Sequence, residues 1–467
     1  MQYVDGKAKD VKIAYVGGGS RGWAWNLMSD LAMCEEMSGQ VYLYDIDFEA
    51  AKHNEIIGNL YNDCPECKSR WQYVAARTPE EALTGANFVV ISILPGTFDE
   101  MESDVHTPEK YGIYQSVGDT SGPGGIVRAM RTIPMFEEIA RYVRDYCPNA
   151  WVINYTNPMT LCVKTLYRVF PEIKAFGCCH EVFGTQRVLR TALREICGIE
   201  EADRSKIRVN PVGVNHFTWI TKATYGDKDL FPVYRAFAQQ YAATGYTKNL
   251  DANWMNNSFV SSQKVKLDLF LKYGYIAAAG DRHLAEFVDG SRYLADPETV
   301  RSWGFGLTSV AWRKEDLKKR LQKSEDLRTG KREIKFAPSG EEGVAQMCAI
   351  LGVGQPLVTN VNIPNRGQTP NLPMGAVVES NAVFRDDEVT PVFTGDIPAE
   401  IMPLISRISI EQERISDAIA RRDLQAIFEV FANDPLVTCG YENAKKLFKE
   451  MVLNTAKYLP DYDLSRL

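Results

Sequence analysis

The 467-residue chain lacks several things, and each lack narrows what it can be. No stretch reaches the roughly 18 uninterrupted apolar residues that a membrane-spanning helix requires. The start, MQYVDGKAKD, has no apolar signal core and no small-residue cleavage site, so the expectation is a protein that stays in the cytoplasm. There is no basic stripe: the formal charge of -7 is spread along the chain, which argues against nucleic acid as a partner. Internal repeats and low-complexity linkers are missing as well. Ten cysteines are scattered through a long chain rather than arranged as the framework of a short secreted one, so most are expected reduced and buried. Cys64 and Cys67 form a lone CxxC without a second pair, and are read as structural.

What is present points to an α/β fold. Apolar runs that suit buried parallel strands (VKIAYVG, QVYLYDID, NFVVISIL, AWVINYT and IKAFGCC) alternate with helical stretches through the first 200 residues. Trp23 to Met33, Pro79 to Leu83, Ile126 to Tyr146 and Pro158 to Phe170 supply the crossovers. The expectation is a Rossmann-like doubly wound sheet over residues 1–200, then a mixed α/β second domain over 201–467 that ends in a helical tail from Ala399 to Leu453. The charged stretch Lys314 to Lys331 reads as a solvated helix with its loop.

Gly17, Gly19 and Gly22 form G-x-G-x-x-G directly after the strand VKIAYV and before a helical pattern, the context in which the motif holds a dinucleotide. Gly17 allows the tight turn, Gly19 lets the backbone approach a pyrophosphate, and Gly22 lets the helix pack on the strand. Ser20 lies in the same turn. Asp45, 23 positions beyond Gly22, can accept hydrogen bonds from ribose hydroxyls and disfavours a 2′-phosphate, so NAD is expected over NADP. Ser92 to Pro95 would form the other lip of the crevice.

Cys179 and His180 end the strand IKAFGCC, and His216 follows in GVNHFTW. A thiolate and an imidazole suit a catalytic transition metal, although 37 residues separate Cys179 from His216 and a buried thiol beside a core histidine fits the spacing equally well. Asp119 lies in VGDTSGPGGIVRAMRT with Arg128 and Arg131. Asn154 and Asn157 in INYTNPM either position hydroxyls or form an Asx turn before Pro158. GDRHLAEF gathers Asp281, Arg282, His283 and Glu286, a solvated loop or a site.

The ordered motifs VGGGSRG, YDID, GDTSGPGG, NYTNP, CCHEV, GVNHFTW, GDRHLAEF and NIPNRGQTPNLP resemble glycoside hydrolase family 4, the NAD- and metal-dependent glycosidases, from about residue 10 to beyond 380. The two-carboxylate scheme common to most glycoside hydrolases does not cover this family. The resemblance implies a redox-assisted elimination. Hydride leaves sugar C3 for NAD⁺, a side-chain base takes the C2 proton, the C1 group departs, water adds and the hydride returns. A divalent metal, usually manganese, polarises the C2 and C3 oxygens.

By the same resemblance Cys179 and His216 would be metal ligands, Asn157 a substrate contact, and Asp119 the acid that raises the basicity of the base. The tyrosine that several members use as base aligns with Phe270 here, leaving Asp281, Tyr273 or Tyr275, of which Asp281 is favoured. His180 or Glu181, or a metal-bound water, would protonate the leaving group. Cys179-His180-Glu181-Val182 is similar to the α-galacturonidase branch, which implies an α-linked galacturonic acid unit from pectin. Arg128, Arg131 and Arg282 are the candidates for its carboxylate. α-Glucosidase, α-galactosidase and α-glucuronidase are the alternatives within the family, and an NAD-dependent 2-hydroxy-acid dehydrogenase or a non-catalytic NAD-binding regulator those outside it. The resemblance also suggests dimers or tetramers.

Overall fold

The computed structural model describes residues 1–247 and 261–467. A short strand β1 (Gln2–Val4) runs antiparallel to β2 (Lys7–Val16), which is followed by β3 (Met37–Tyr44), β4 (Trp71–Ala76), β5 (Phe88–Ile91), β6 (Trp151–Asn154) and β7 (Lys174–Gly177). Strands β2 to β7 are parallel and lie in the order β7-β6-β5-β2-β3-β4, the arrangement of a doubly wound dinucleotide fold. Val11, Ile13, Ala14, Tyr15 and Val16 of β2 are all buried, as expected of a strand covered on both faces. One face packs against the helices Trp23–Met33, Phe48–Leu60 and Gly343–Ile350; the other packs against Pro79–Leu83, Gly122–Tyr146 and Met159–Val169. Local chemistry sets these helices: Asp47 caps Phe48–Leu60 by accepting from the Ala50 N–H at 3.1 Å, and Thr97 with Glu100 forms a capping box ahead of Phe98–His106.

The second half builds a smaller antiparallel sheet from β8 (Ile207–Val214), β9 (Phe217–Tyr225), β10 (Lys228–Asp229) and β11 (Ile276–Ala277). It also returns to the first sheet. Strands β12 (Leu357–Pro364), β13 (Val377–Arg385) and β14 (Glu388–Pro391) extend the β7 edge, with Asn362 of β12 opposite Gly177 in antiparallel register. Neither this extension nor β4 is among the strands expected from the sequence. An antiparallel edge added from 180 residues downstream leaves no local signal.

The helical tail resolves into Met402–Ala420, Leu424–Ala432 and Tyr441–Asn454. They pack with Gly122–Tyr146 in one continuous core. The charged stretch is a helix, Val310–Arg328, that buries only Val310, Ser324 and Leu327. All ten cysteines, Cys64 and Cys67 among them, are free thiols. Among the described residues no helix is long and apolar enough to cross a membrane.

Candidate functional site

The carboxyl ends of β2 and β5, where the strand order reverses, open a crevice. Gly17 turns the chain there at φ +94°, and a Cβ on it would stand 2.1 Å from the Ser92 carbonyl oxygen, so no other residue fits. The Gly19 N–H donates to Asp45 Oδ2 at 2.8 Å, and a Cβ on Gly19 would meet Asp45 Oδ2 at 2.9 Å and Ala50 Cβ at 2.7 Å. Asn54 braces the turn from beneath: its Nδ2 donates to the Gly18 and Ser20 carbonyls at 2.8 and 3.0 Å, while Oδ1 accepts from Trp25 Nε1 at 2.8 Å. Gly22 caps the helix Trp23–Met33, whose first turn has no acidic side chain to compete with a phosphate. Across the crevice the Ser92 N–H continues the ladder to the Val16 carbonyl at 3.0 Å. Gly17, Gly19, Ser20, Gly22, Asp45 and Ser92 are thus gathered where a dinucleotide's pyrophosphate and ribose would lie.

A second constellation lies beyond β6 and β7. The β8–β9 hairpin closes through Asn215 and His216, with His216 at φ +65°. A β-turn that holds a bulky non-glycine residue in the left-handed region is under strain, which persists where the surroundings need the side chain in one place. Ligand atoms of Asp119, His216 and His283 all lie within 4.8 Å of one another, and the two imidazoles lie against each other, tilted by 30°, with centroids 3.8 Å apart. Thr120 links two of the three: its hydroxyl donates to Asp119 Oδ1 at 2.7 Å and accepts from His216 Nδ1 at 2.9 Å. The hydroxyl's one proton is engaged by the carboxylate, so Nδ1 carries the imidazole proton and Nε2 keeps a lone pair for a cation.

Burial, with His283 beside it, holds His216 neutral down to about 3. Burial opposes ionisation of Asp119, but His216, His283 and Arg128 outweigh it and hold the carboxyl at about 2. One carboxylate and two neutral imidazoles suit a divalent transition-metal ion. The side-chain oxygen of Asn157 and His283 Nδ1 are buried without a hydrogen-bond partner, as expected where a polar ligand belongs.

Cys179, expected as a ligand with His216, lies outside that three-donor group. It is buried, its carbonyl accepts from Asn360 Nδ2 at 3.1 Å, and burial together with Glu379 and Glu181 pushes its thiol well above the ordinary range. Asp119, expected to act on the base, stands among the donors, with Asn157 Nδ2 at 3.3 Å from its Oδ2. His180 and Glu181 face the same space. Glu181 Oε1 is 3.8 Å from His283 Nε2 and 3.9 Å from His180 Nε2, and Oε2 accepts from the Gly280 N–H at 2.6 Å. Burial would raise the Glu181 carboxyl, yet His283, His180, His216 and Lys266 hold it at about 2. His180 Nδ1 meets Glu341 Oε1 at 3.2 Å; burial lowers its pKa, but Glu341 reverses the sign.

Three candidates are held by partners of their own. Asp281 Oδ1 accepts the Lys266 N–H at 3.0 Å at the start of the helix Lys264–Tyr273, and burial pushes its carboxyl up to about 6. Tyr275 packs edge-on against Phe231, with centroids 6.3 Å apart. Arg282 is engaged by the Gly306 carbonyl at 3.1 Å, Thr308 Oγ1 at 2.6 Å and the Ser116 carbonyl. Of the other arginines, Arg131 forms a buried fork on Asp104, and Arg128 Nε donates to the Asn157 carbonyl at 3.2 Å.

No local signal gave a site role to Thr120 or Glu341, and His283 and Glu286 stood out in the sequence only as part of an ionisable cluster. Glu286 accepts the Val117 and Gly118 N–H groups at 2.8 and 3.0 Å and so shapes the loop that carries Asp119. One signal was available: the chain has only five histidines, and His180, His216 and His283 are three of them.

Residues 12–195 match the sequence profile of the family 4 glycosyl hydrolases, and residues 211–437 match that of their C-terminal domain. An α-galacturonidase from Thermoanaerobacterium saccharolyticum is 60% identical over 99% of this chain and 100% of its own length. The crystal structure of lplD from Bacillus subtilis, named there as a glucosidase, superposes with a TM-score of 0.89 at 50% identity, over 95% of this chain and 100% of that one. The 6-phospho-β-glucosidase of Thermotoga maritima, solved with manganese, NAD⁺ and glucose-6-phosphate, has the same fold at a TM-score of 0.74 and 21% identity, over 96% and 99% of the two chains. Two profiles that together span most of the chain, and a near full-length relative at this identity, place the protein in family 4 of the glycosyl hydrolases.

Proposed function

We propose that this enzyme hydrolyses α-galacturonides with NAD and a divalent cation, manganese by preference, as resident cofactors. The observation that carries the substrate is the 60% identity, end to end, with an α-galacturonidase. The motif Cys179-His180-Glu181-Val182 supports it, since Glu181 lies against His283 of the three-donor group and His180 lies against Glu181. When bound, NAD supplies a reversible hydride acceptor and the cation a Lewis acid.

The chain's own residues do the rest. Gly17, Gly19, Ser20, Gly22, Asp45 and Ser92 seat the dinucleotide. His216, with Asp119, His283 and Cys179 around it, would hold the cation, while Asn157 and Arg128 border the sugar position. Cys179 would ligate as the thiolate. His180, its pKa raised by Glu341, donates to the leaving oxygen, and Glu181 orients it. We assign the sugar C2 proton to Asp281, although its Oδ1 is held by the Lys266 N–H: a buried carboxyl near 6 is ionised at neutral pH yet basic enough to accept a proton.

The division at residue 200, cytoplasmic residence and assembly as a homodimer or homotetramer belong to the same reading. The two profiles part between 195 and 211, and ten unpaired thiols suit a reducing compartment.

Purified protein with NAD⁺, Mn²⁺ and a thiol reductant should release p-nitrophenol from its α-galacturonide, with no net NADH and with solvent deuterium at C2 of the product. Stoichiometric NADH would mean a dehydrogenase. An unlabelled product would remove the elimination route.

A further inference from the structure

A second thiol constellation lies apart from this site. Cys34 caps the carboxyl end of the helix Trp23–Met33, and Cys348 lies on the helix Gly343–Ile350, 314 positions later in the chain. Their sulfurs are 3.5 Å apart, in direct contact beneath the surface, with the two residues only 7% and 6% exposed. On the solvent side the exposed Glu36 accepts a hydrogen bond from the Cys34 thiol, its Oε2 3.2 Å from the sulfur. The contact with Cys348 lowers the Cys34 thiol from its ordinary value, against burial and the Glu36 side chain, which raise it.

We propose that Cys34 and Cys348 are a redox modification site that closes into an intrachain disulfide on reaction with a low-molecular-weight disulfide. Cys34, as the thiolate with its proton lost to solvent, attacks one sulfur of the small disulfide; that S–S bond breaks and the first small thiolate leaves and takes up a proton. Cys348 then loses its proton, attacks the Cys34 sulfur of the mixed disulfide and expels the second small thiolate, which takes up a proton in turn. Two protein thiols are oxidised while one small disulfide is reduced to two thiols. Closing the bond needs the sulfurs to move from contact to about 2.05 Å, which rotation of two side chains already facing each other can supply. A thiophilic metal ion is the competing occupant. Cys34, Cys348 and Glu36 give it only three donors, whereas structural zinc sites have four protein ligands.

The bond would tie the dinucleotide-binding helix to the helix whose Gln346 accepts from Cys178, the neighbour of Cys179, at 3.1 Å. Closing so long a loop restricts the unfolded chain most.

Incubating the protein with oxidised glutathione, alkylating and mapping its peptides should yield a Cys34–Cys348 linked pair two hydrogens lighter than the separate thiols. The melting temperature should rise by about 5 °C and fall back with dithiothreitol. Cys348→Ala should show no rise, and glutathione should stay attached to Cys34. Alkylation of both cysteines after oxidation of the wild type would overturn the proposal. So would a stoichiometric zinc ion in the purified protein that Cys348→Ala loses.

Discussion

Thr120 shows how one side chain can set the chemistry of another. Its hydroxyl donates a hydrogen bond to Asp119 and accepts one from His216 Nδ1, which leaves Nε2 as the ligating atom. Thr120→Val keeps the shape and removes the relay. Loss of such an orienting group costs about 10- to 100-fold in metal affinity, so calorimetric titration with Mn²⁺ should show a drop of that order with the circular dichroism spectrum unchanged. An unaltered affinity would show that the ring is held by packing alone. Glu181 carries a pH signature. Its folded pKa of about 2 lies below the ordinary 4.5, so its stabilising contribution is complete above 4.5 and disappears as the pH falls through 2. Melting curves of the metal-free protein should therefore fall more steeply between pH 4.5 and 2 than those of Glu181→Gln, and parallel curves would contradict the assignment.

At the scale of the element, the glycine turn between β2 and its helix was legible because every constraint on it is local. A strand end, a left-handed turn and a helix amino terminus follow one another within seven residues, and Gly17 can be replaced by nothing that carries a Cβ. Gly19→Ala should separate binding from folding. The added methyl meets Ala50 and Asp45 Oδ2 inside 3 Å, so the turn must shift away from the pyrophosphate position. NAD affinity by fluorescence titration should fall about 10-fold or more, as expected when fixed backbone donors lose their alignment, while the melting temperature stays within a few degrees. The β8–β9 hairpin is the opposite case. No pattern in the sequence reveals that its turn forces His216 to positive φ and points it at Asp119 and His283.

The whole molecule is joined by β12, which lays the second half against the edge of the first sheet. Asn360 on that strand donates to the Cys179 carbonyl at 3.1 Å and to Glu379 Oε1 at 2.7 Å, so one buried amide spans the seam. Asn360→Ala leaves both acceptors unsatisfied. It should cost about 1–3 kcal/mol in urea unfolding and reduce activity through displacement of Cys179. A stability loss without any activity loss would show that the seam does not position the site.

Order along the chain by itself determined the doubly wound core, the dinucleotide turn with Asp45, and the motifs that mark the family, because these depend on periodicities and contacts spanning a few residues. It also identified Asp119, His216, Cys179, His180 and Glu181 as chemically capable side chains. Only the tertiary structure decided which of them meet. It brought His283 from 67 positions beyond His216 into ring contact, set Cys179 outside the three-donor group, turned Asp281 onto the Lys266 backbone and tied Arg282 to backbone carbonyls. Hydrogen bonds and metal ligation act over about 3 Å, and a separation along the chain does not predict a separation in space once strands from distant segments share a sheet.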